Sequence, residues 1–366
     1  MSGVVSVEHQ RTMSPTCTAT ACRGLPARFE SVEALEDALS TPTDGLVQMM
    51  RRLDGPIMIL GVGGKMGPTL ARMARRADEA AGIKRQIIGV SRFSSGDLAD
   101  RLHAWGIETI AGDLLDEKFL ATLPDAPNIV YMPALKFGAT QQAARTWAMN
   151  VLLPGMVCRR FPNSRIVAFS SGNIYPIKPI TAGGSLETDT PGPIGEYAMT
   201  CLGRERAFEY YSRTHGQPTS LIRLSYACEL RYGVLVDIAQ SVWTGQPVDV
   251  TNSVFKVIWQ ADANEMTLRA FEHAASPPFI LNITGPETLS IRHVANQFAA
   301  LMGREAVFRG TESDSMRLTN AQLSHRLFGY PRVNVEQMIL WVADWVMRGG
   351  ENLGKPTHFE VRDGKY

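Results

Sequence analysis

The sequence lacks the features that would place it in the simplest classes. No apolar run approaches the roughly 20 residues of a helical membrane span, which argues against that class. The first stretch, to about residue 25, has no apolar core of a secretory signal. It is rich in Ser, Thr and Ala with a few Arg, loosely like an organelle transit peptide. Glu8 and the want of an amphipathic period favour a disordered tail over residues 1–30 instead. Cysteine is scarce: five residues, Cys17, Cys22, Cys158, Cys201 and Cys228, odd in number and scattered. Reduced thiols and a cytoplasmic setting follow, not a disulfide framework. Without a C-x-x-C pair or a His-x-x-x-His cluster, no metal site is expected. Net charge is only +1, so bulk electrostatics favours neither nucleic acid nor an anionic membrane. Repeats and low-complexity segments are also missing.

What is present is ordinary globular material. With 45% hydrophobic and 20% charged residues over 366 positions, the chain can build one large or two moderate domains. One stretch organises the rest. Ile57–Leu60 is a short apolar run, as in a strand buried on both faces. Gly61, Gly64 and Gly67 follow at three-residue spacing, with Lys65 and Met66 between the last two. Leu70, Met73, Ala74 and Ala77 then mark one face of a helix. Strand, glycine turn and helix together are the context in which a glycine pattern implies phosphate binding. Glycine lets the backbone turn sharply and approach a pyrophosphate, and the N–H groups of a helix N-terminus favour an anion. The commonest dinucleotide spacing requires glycine where Met66 stands; the Gly-x-x-Gly-x-x-Gly spacing fits.

Two short helices precede this stretch. Ser31 caps the first, Val32–Leu39, and Pro42-Thr43 opens the second, whose face is Leu46, Met49, Met50 and Leu53. They form an N-terminal attachment over 31–55, packed on the main domain or in an oligomer contact. From Pro56, strands at 57–60, 86–90, 108–111, 128–132, 165–170 and 220–224 alternate with helices. The longest of these cover about 141–157 and 194–214. This alternation predicts an α/β fold, a Rossmann-type doubly wound parallel sheet over 56–225. Ligands in such sheets bind beyond the carboxyl ends of the strands, so the glycine loop and the ends of strands four and five should converge. After Ser225 short strands mix with helices at 234–243, 263–275 and 290–302, reading as a smaller substrate lobe over 226–350 that can return a strand to the sheet. A C-terminal tail, 351–366, follows.

Strand five ends in Ser170-Ser171-Gly172-Asn173-Ile174-Tyr175, and Tyr197 comes 26 residues after Ser171. With the glycine triplet, Gly112-Asp113-Leu114 and Asn150, these residues resemble the extended short-chain dehydrogenase/reductase superfamily, the NAD-dependent epimerase/dehydratases. Leu221–Leu224, Val257–Ala263 and the closing Leu327-Phe328-Gly329-Tyr330-Pro331 carry the resemblance on, from about Ile57 to Val346. It implies that Gly61, Gly64 and Gly67 hold the pyrophosphate and that Asp113 and Leu114 sit beside the adenine. Met132, Pro133 and Ala134 would lie along the nicotinamide side. Ser171 would hydrogen-bond the reacting oxygen, and Tyr197 would exchange a proton with it. Moving a hydride at a carbon bearing oxygen needs such a matched proton transfer. A phenol supplies it when nearby positive charge lowers its pKa from about 10.

One position departs from the family pattern. Its lysine, four residues after the tyrosine, is here Cys201. Three readings follow, in order of preference. Another cation replaces it, either Lys65, Lys136 or Arg231. Or the reaction needs a less activated tyrosine. Or the protein binds the nucleotide without turnover. Cys201 is read as a small helix residue ahead of a reactive thiol. At the end of strand two, Ser91 and Arg92 stand where an acid would select NAD, so NADP is favoured over NAD; Arg92 facing solvent, or stacking on adenine in an NAD enzyme, is the alternative. Asn173 and Arg231 are candidate substrate contacts, Arg231 as an anion clamp or else in an exposed salt bridge. The loop 176–193 is a candidate lid. The expected function is an epimerase, dehydratase or reductase acting on a hydroxyl or carbonyl of a sugar-like small molecule. The alternatives are a sensor or partner-binding subunit without turnover, and a redox-neutral lyase. A homodimer is expected by family analogy alone.

Overall fold

The structure, a computed structural model, describes residues 26–94 and 96–365. Seven parallel strands form the central sheet: β1 (Ile57–Leu60), β2 (Ile87–Ser91), β3 (Glu108–Ala111), β4 (Asn128–Tyr131), β5 (Arg165–Ser171), β6 (Thr219–Leu224) and β7 (Phe279–Ile283). Their order is β7-β6-β5-β4-β1-β2-β3. The chain starts in the middle, winds out to β3, then returns to β4 and winds the other way. That reversal opens a crevice between β1 and β4 at the carboxyl ends, where such sheets bind ligands. The strands are apolar in continuous runs because both faces are covered. Ile57 and Ile59 enter one core, whereas Met58 and Leu60 enter the other.

Helix α3 (Gly67–Ala81) buries Leu70, Met73, Ala74 and Ala77 in the first of these cores and stops at Gly82, which takes the left-handed conformation. The N-terminal pair, α1 (Val32–Leu39) and α2 (Asp44–Arg52), is capped by Ser31 and Thr43 and packs through Leu35, Leu39, Leu46, Met49 and Met50 into that core. The expected disordered tail lies outside the described residues as far as 25. From Pro26 onward the chain is packed, because Phe29 is an apolar anchor against Trp341 and Trp259. Two smaller helices, α4 (Leu98–Ala104) and α5 (Glu117–Thr122), flank β3.

The helix expected over 141–157 is interrupted. It forms α6 (Ala143–Trp147), a π-helical turn (Ala148–Leu152) and α7 (Leu153–Arg160). Pro154 has no N–H to offer the carbonyl one turn back, and the wider turn absorbs that loss. Helix α8 (Gly195–His215) runs 21 residues and carries Tyr197 in its first turn. The segment after β6 holds α9 (Val234–Trp243), α10 (Gln260–Arg269) and α11 (Ile291–Met302), tied by two-residue strand pairs, and sends β7 back to the sheet edge beside β6. Helix α10 begins earlier than the sequence pattern suggests and gives way to a 3₁₀ turn at Ala270–His273. Loop 176–193 is pinned, not free: Lys178–Pro179 pairs with Ser315–Met316, and Glu187 accepts from the Asn282 N–H. Among the described residues no helix is long and apolar enough to cross a membrane.

Candidate active site

The site begins at the glycine loop. Gly61 has a φ of +80°, and a Cβ there would stand 2.9 Å from the Pro133 nitrogen. A side chain is thus excluded twice, by conformation and by the β4 loop. At Gly67 a Cβ would meet the Val62 carbonyl oxygen at 2.2 Å, so the loop can lie flat on the helix only with glycine. Helix α3 starts without a side-chain cap; the Gly67 N–H donates to the Gly64 carbonyl at 3.2 Å and Pro68 carries no N–H. Lys65 rises from this loop with its Nζ 2.8 Å from the centre of the Tyr232 ring. Burial, with the Lys136 charge adding to it, pushes its pKa down to about 7.

Ser171, at the end of β5, is nearly buried, and its Oγ accepts the Asn173 N–H at 3.1 Å. Tyr197 lines the same pocket as Ser171 and packs against Cys201, which lies one helical turn further along α8. Burial is the main reason its pKa stands well above the ordinary tyrosine value; Cys201 adds to the rise, while Arg204 opposes it. The Cys201 thiol is fully buried and is also pushed up, again chiefly by burial. Arg204 sits two turns after Tyr197, 2% exposed. Its Nη1 donates to the Phe169 carbonyl of β5 at 2.9 Å, and its Nε and Nη2 have no hydrogen-bond partner among the described residues.

Lys136 follows β4 and donates from Nζ to the Thr357 carbonyl at 3.0 Å. Burial lowers its pKa to about 8, although Cys201 and Asp237 pull it back upward. Asn150, in the π-helical turn, bonds both the N–H and the C=O of Leu135, at 2.9 and 3.0 Å, and donates to Thr200 Oγ1 of α8 at 2.9 Å. It therefore joins the β4 loop to the tyrosine helix.

The fold and these residues meet in one family. Residues 57–229 match the family described as NAD dependent epimerase/dehydratase. Among curated proteins none matches the sequence. Solved structures with the same fold include UDP-glucose 4-epimerase of Thermotoga maritima with UDP-glucose, 16% identical over 80% of this chain and 99% of that one, with a TM-score of 0.65. UDP-glucuronic acid 4-epimerase of Bacillus cereus, with UDP-glucuronic acid and NAD, gives the same identity, coverage and score. A 17% identical structure of the Bacillus cereus protein holds NAD alone. At these identities the likeness establishes the fold.

A single pocket brings together Lys65, Met66, Lys136, Ser171, Asn173 and Tyr197. The other expected cofactor contacts are not among its lining residues. Ser91 Oγ abuts Gly63, where a Cβ would come within 2.5 Å, and Arg92 is exposed just beyond. Asp113 is exposed and its Oδ1 accepts the Leu115 N–H at 3.0 Å; Leu114 is buried. Pro133 is buried beside Gly61, and Ala134 is exposed. Arg231 stands apart from the pocket lining. Its guanidinium pairs with Glu229 and Glu36, each at 3.1 Å, in a buried network that also takes in Arg101. Arg231 forms a salt bridge, but a buried one and not the exposed pair expected, because Glu229 and Glu36 are both enclosed with it. Sequence reasoning passed over Arg204, whose signal is the seven-residue spacing from Tyr197 that keeps both on one helix face. It also missed Tyr232, Lys256 and Thr357, which line the pocket without any motif.

Proposed function

We propose that the chain is a nicotinamide-dinucleotide enzyme of the epimerase, dehydratase or reductase type, acting on a hydroxyl or carbonyl of a sugar-like small molecule. The observation that carries this reading is the meeting of Ser171 and Tyr197 in one pocket that also contains Lys65 of the glycine loop. The glycine loop fits a pyrophosphate, and Ser91 with Arg92 fits a ribose 2′-phosphate, which favours NADP. The bound cofactor supplies hydride exchange at carbon. Ser171 hydrogen-bonds the reacting oxygen, and Tyr197 gives or takes its proton. Among the described residues the pocket lining has four cations, Lys65, Lys136, Lys256 and Arg317, and no carboxylate. That charge suits the cofactor phosphates together with an anionic substrate group. The structural neighbours from Thermotoga maritima and Bacillus cereus were solved with UDP-glucose and UDP-glucuronic acid, which supports a sugar-like substrate.

Denaturing the purified protein and identifying the released nucleotide tests the first half. Tightly held nucleotide supports a cycle that regenerates its cofactor; an exchangeable NADPH site supports net reduction; no dinucleotide binding rejects the reading. On a turned-over substrate, Tyr197→Phe should lower kcat by about 10²–10⁴-fold. Unchanged turnover would mean that another group moves the proton.

A second reading rests on Cys201. With no lysine one turn after Tyr197 and the phenol held protonated, the protein binds dinucleotide as a sensor without turnover. Any substrate-dependent hydride exchange, followed as nicotinamide absorbance, eliminates it.

A further inference from the structure

Residues 351–365 carry no helix or strand, yet they are tied down at several points. The Leu353 N–H donates to the Arg231 carbonyl at 3.1 Å, in the turn that bears Tyr232. Lys355 lies close enough to Lys65 for the two charges to oppose each other. Thr357, 2% exposed, is the midpoint. Its N–H and Oγ1 both donate to Asp237 Oδ2 of α9, at 2.8 and 2.6 Å, while its carbonyl receives Lys136 Nζ. The His358 ring lies against Phe137, with centroids 5.9 Å apart. The Phe359 carbonyl takes the Asn252 amide at 2.6 Å, and Arg362 Nη1 donates to Asn252 Oδ1 and the Ser315 carbonyl, each at 3.0 Å. Gly364 finally packs on Gly195, at the start of the tyrosine helix; a Cβ on Gly195 would lie 2.5 Å from the Gly364 oxygen.

This path links the substrate lobe, the β4 loop and α8, all of which border the pocket, and both Thr357 and Val361 line it. We infer that residues 351–365 are a clamp that closes the nicotinamide end of the cofactor groove and slows release of the bound dinucleotide. The inference rests on the proposed function. Asp237 is the device that seats the clamp. Its buried carboxylate is satisfied by two bonds from one strap residue, so losing either side leaves an unmatched polar group and favours opening.

The test is the dissociation rate of NADPH and of NADH, read as loss of nicotinamide fluorescence when excess unlabelled nucleotide displaces it. Asp237→Ala should raise the rate by about tenfold or more, as expected when charge-assisted hydrogen bonds are lost. Arg362→Ala, which frees only the far end and leaves the pocket wall in place, should raise it by a smaller factor. Thr357→Val should behave like Asp237→Ala in direction, and Thr357→Ser should restore the wild-type rate by returning the hydroxyl. Protease cleavage within 351–365 reports that the strap has opened. Cleavage without faster release, in either Asp237→Ala or Arg362→Ala, overturns the clamp. Wild-type protein that binds neither nucleotide removes the functional reading itself and the clamp with it.

Discussion

Two lysines in the pocket titrate where an ordinary lysine does not. Lys65 falls to about 7 and Lys136 to about 8, both because the site removes their ammonium groups from water. A phosphate bound beside them raises both values, so binding takes up protons. The gain is complete below about pH 7 and fades as pH climbs through the raised value of the complex. Dinucleotide affinity, measured by titration calorimetry, should therefore decline from neutral pH toward 10.5, the ordinary lysine value. The empty protein should show the opposite slope. Across that window the unfolded chain holds protons that the folded one has released, so stability rises with pH. Lys65→Met should weaken binding and flatten both slopes; a slope unchanged by this substitution would assign the titration to other groups. Arg204 works through charge at a distance. Replacing it by Met removes the cation that opposes the rise in the Tyr197 pKa, so the pH–rate profile should move toward higher pH. Two of its three nitrogens lack partners, so stability should change by less than about 2 kcal/mol, measured by urea unfolding.

The π-helical turn is the element that couples the two sides of the site. Its Asn150 satisfies the N–H and C=O of Leu135, next to Lys136, and also reaches Thr200 on the tyrosine helix. Asn150→Ala leaves a buried backbone N–H and C=O without partners. It should cost about 1–3 kcal/mol in urea unfolding and weaken dinucleotide binding as well. A stability loss with unaltered affinity would make Asn150 a purely structural tie. From sequence, the segment reads as one continuous helix, since its apolar period and composition are helical. Pro154 marks where regular bonding must fail, but not whether the chain kinks, stops or widens there.

At the scale of the whole molecule, the N-terminal helices and the lobe that follows β6 meet through charge. Arg231 joins Glu229 of the lobe to Glu36 of α1, with all three buried. Arg231→Met leaves two carboxylates without that guanidinium and should cost about 3–5 kcal/mol. Dinucleotide affinity should stay the same, because Arg231 is not among the residues lining the pocket. A selective loss of binding without loss of stability would return it to the role of an anion clamp. Much of the architecture was readable from local pattern. Ile57–Leu60, the glycine spacing and the face of α3 depend on neighbours in the chain, and alternation of strand and helix implies a parallel sheet with its site at the carboxyl ends. Ser171 and Tyr197 were also readable, because each follows a legible element at a characteristic spacing. What tertiary structure alone decided is which charges meet. Arg231 and Lys136 are both single cations in loops, indistinguishable by period or motif; one closes an ion network with α1 and the other enters the pocket. Thr357 lies 160 residues beyond Tyr197 in a stretch with no periodicity. Its place at the site follows from hydrogen bonds to Asp237 and Lys136, contacts between distant segments that no local spacing encodes.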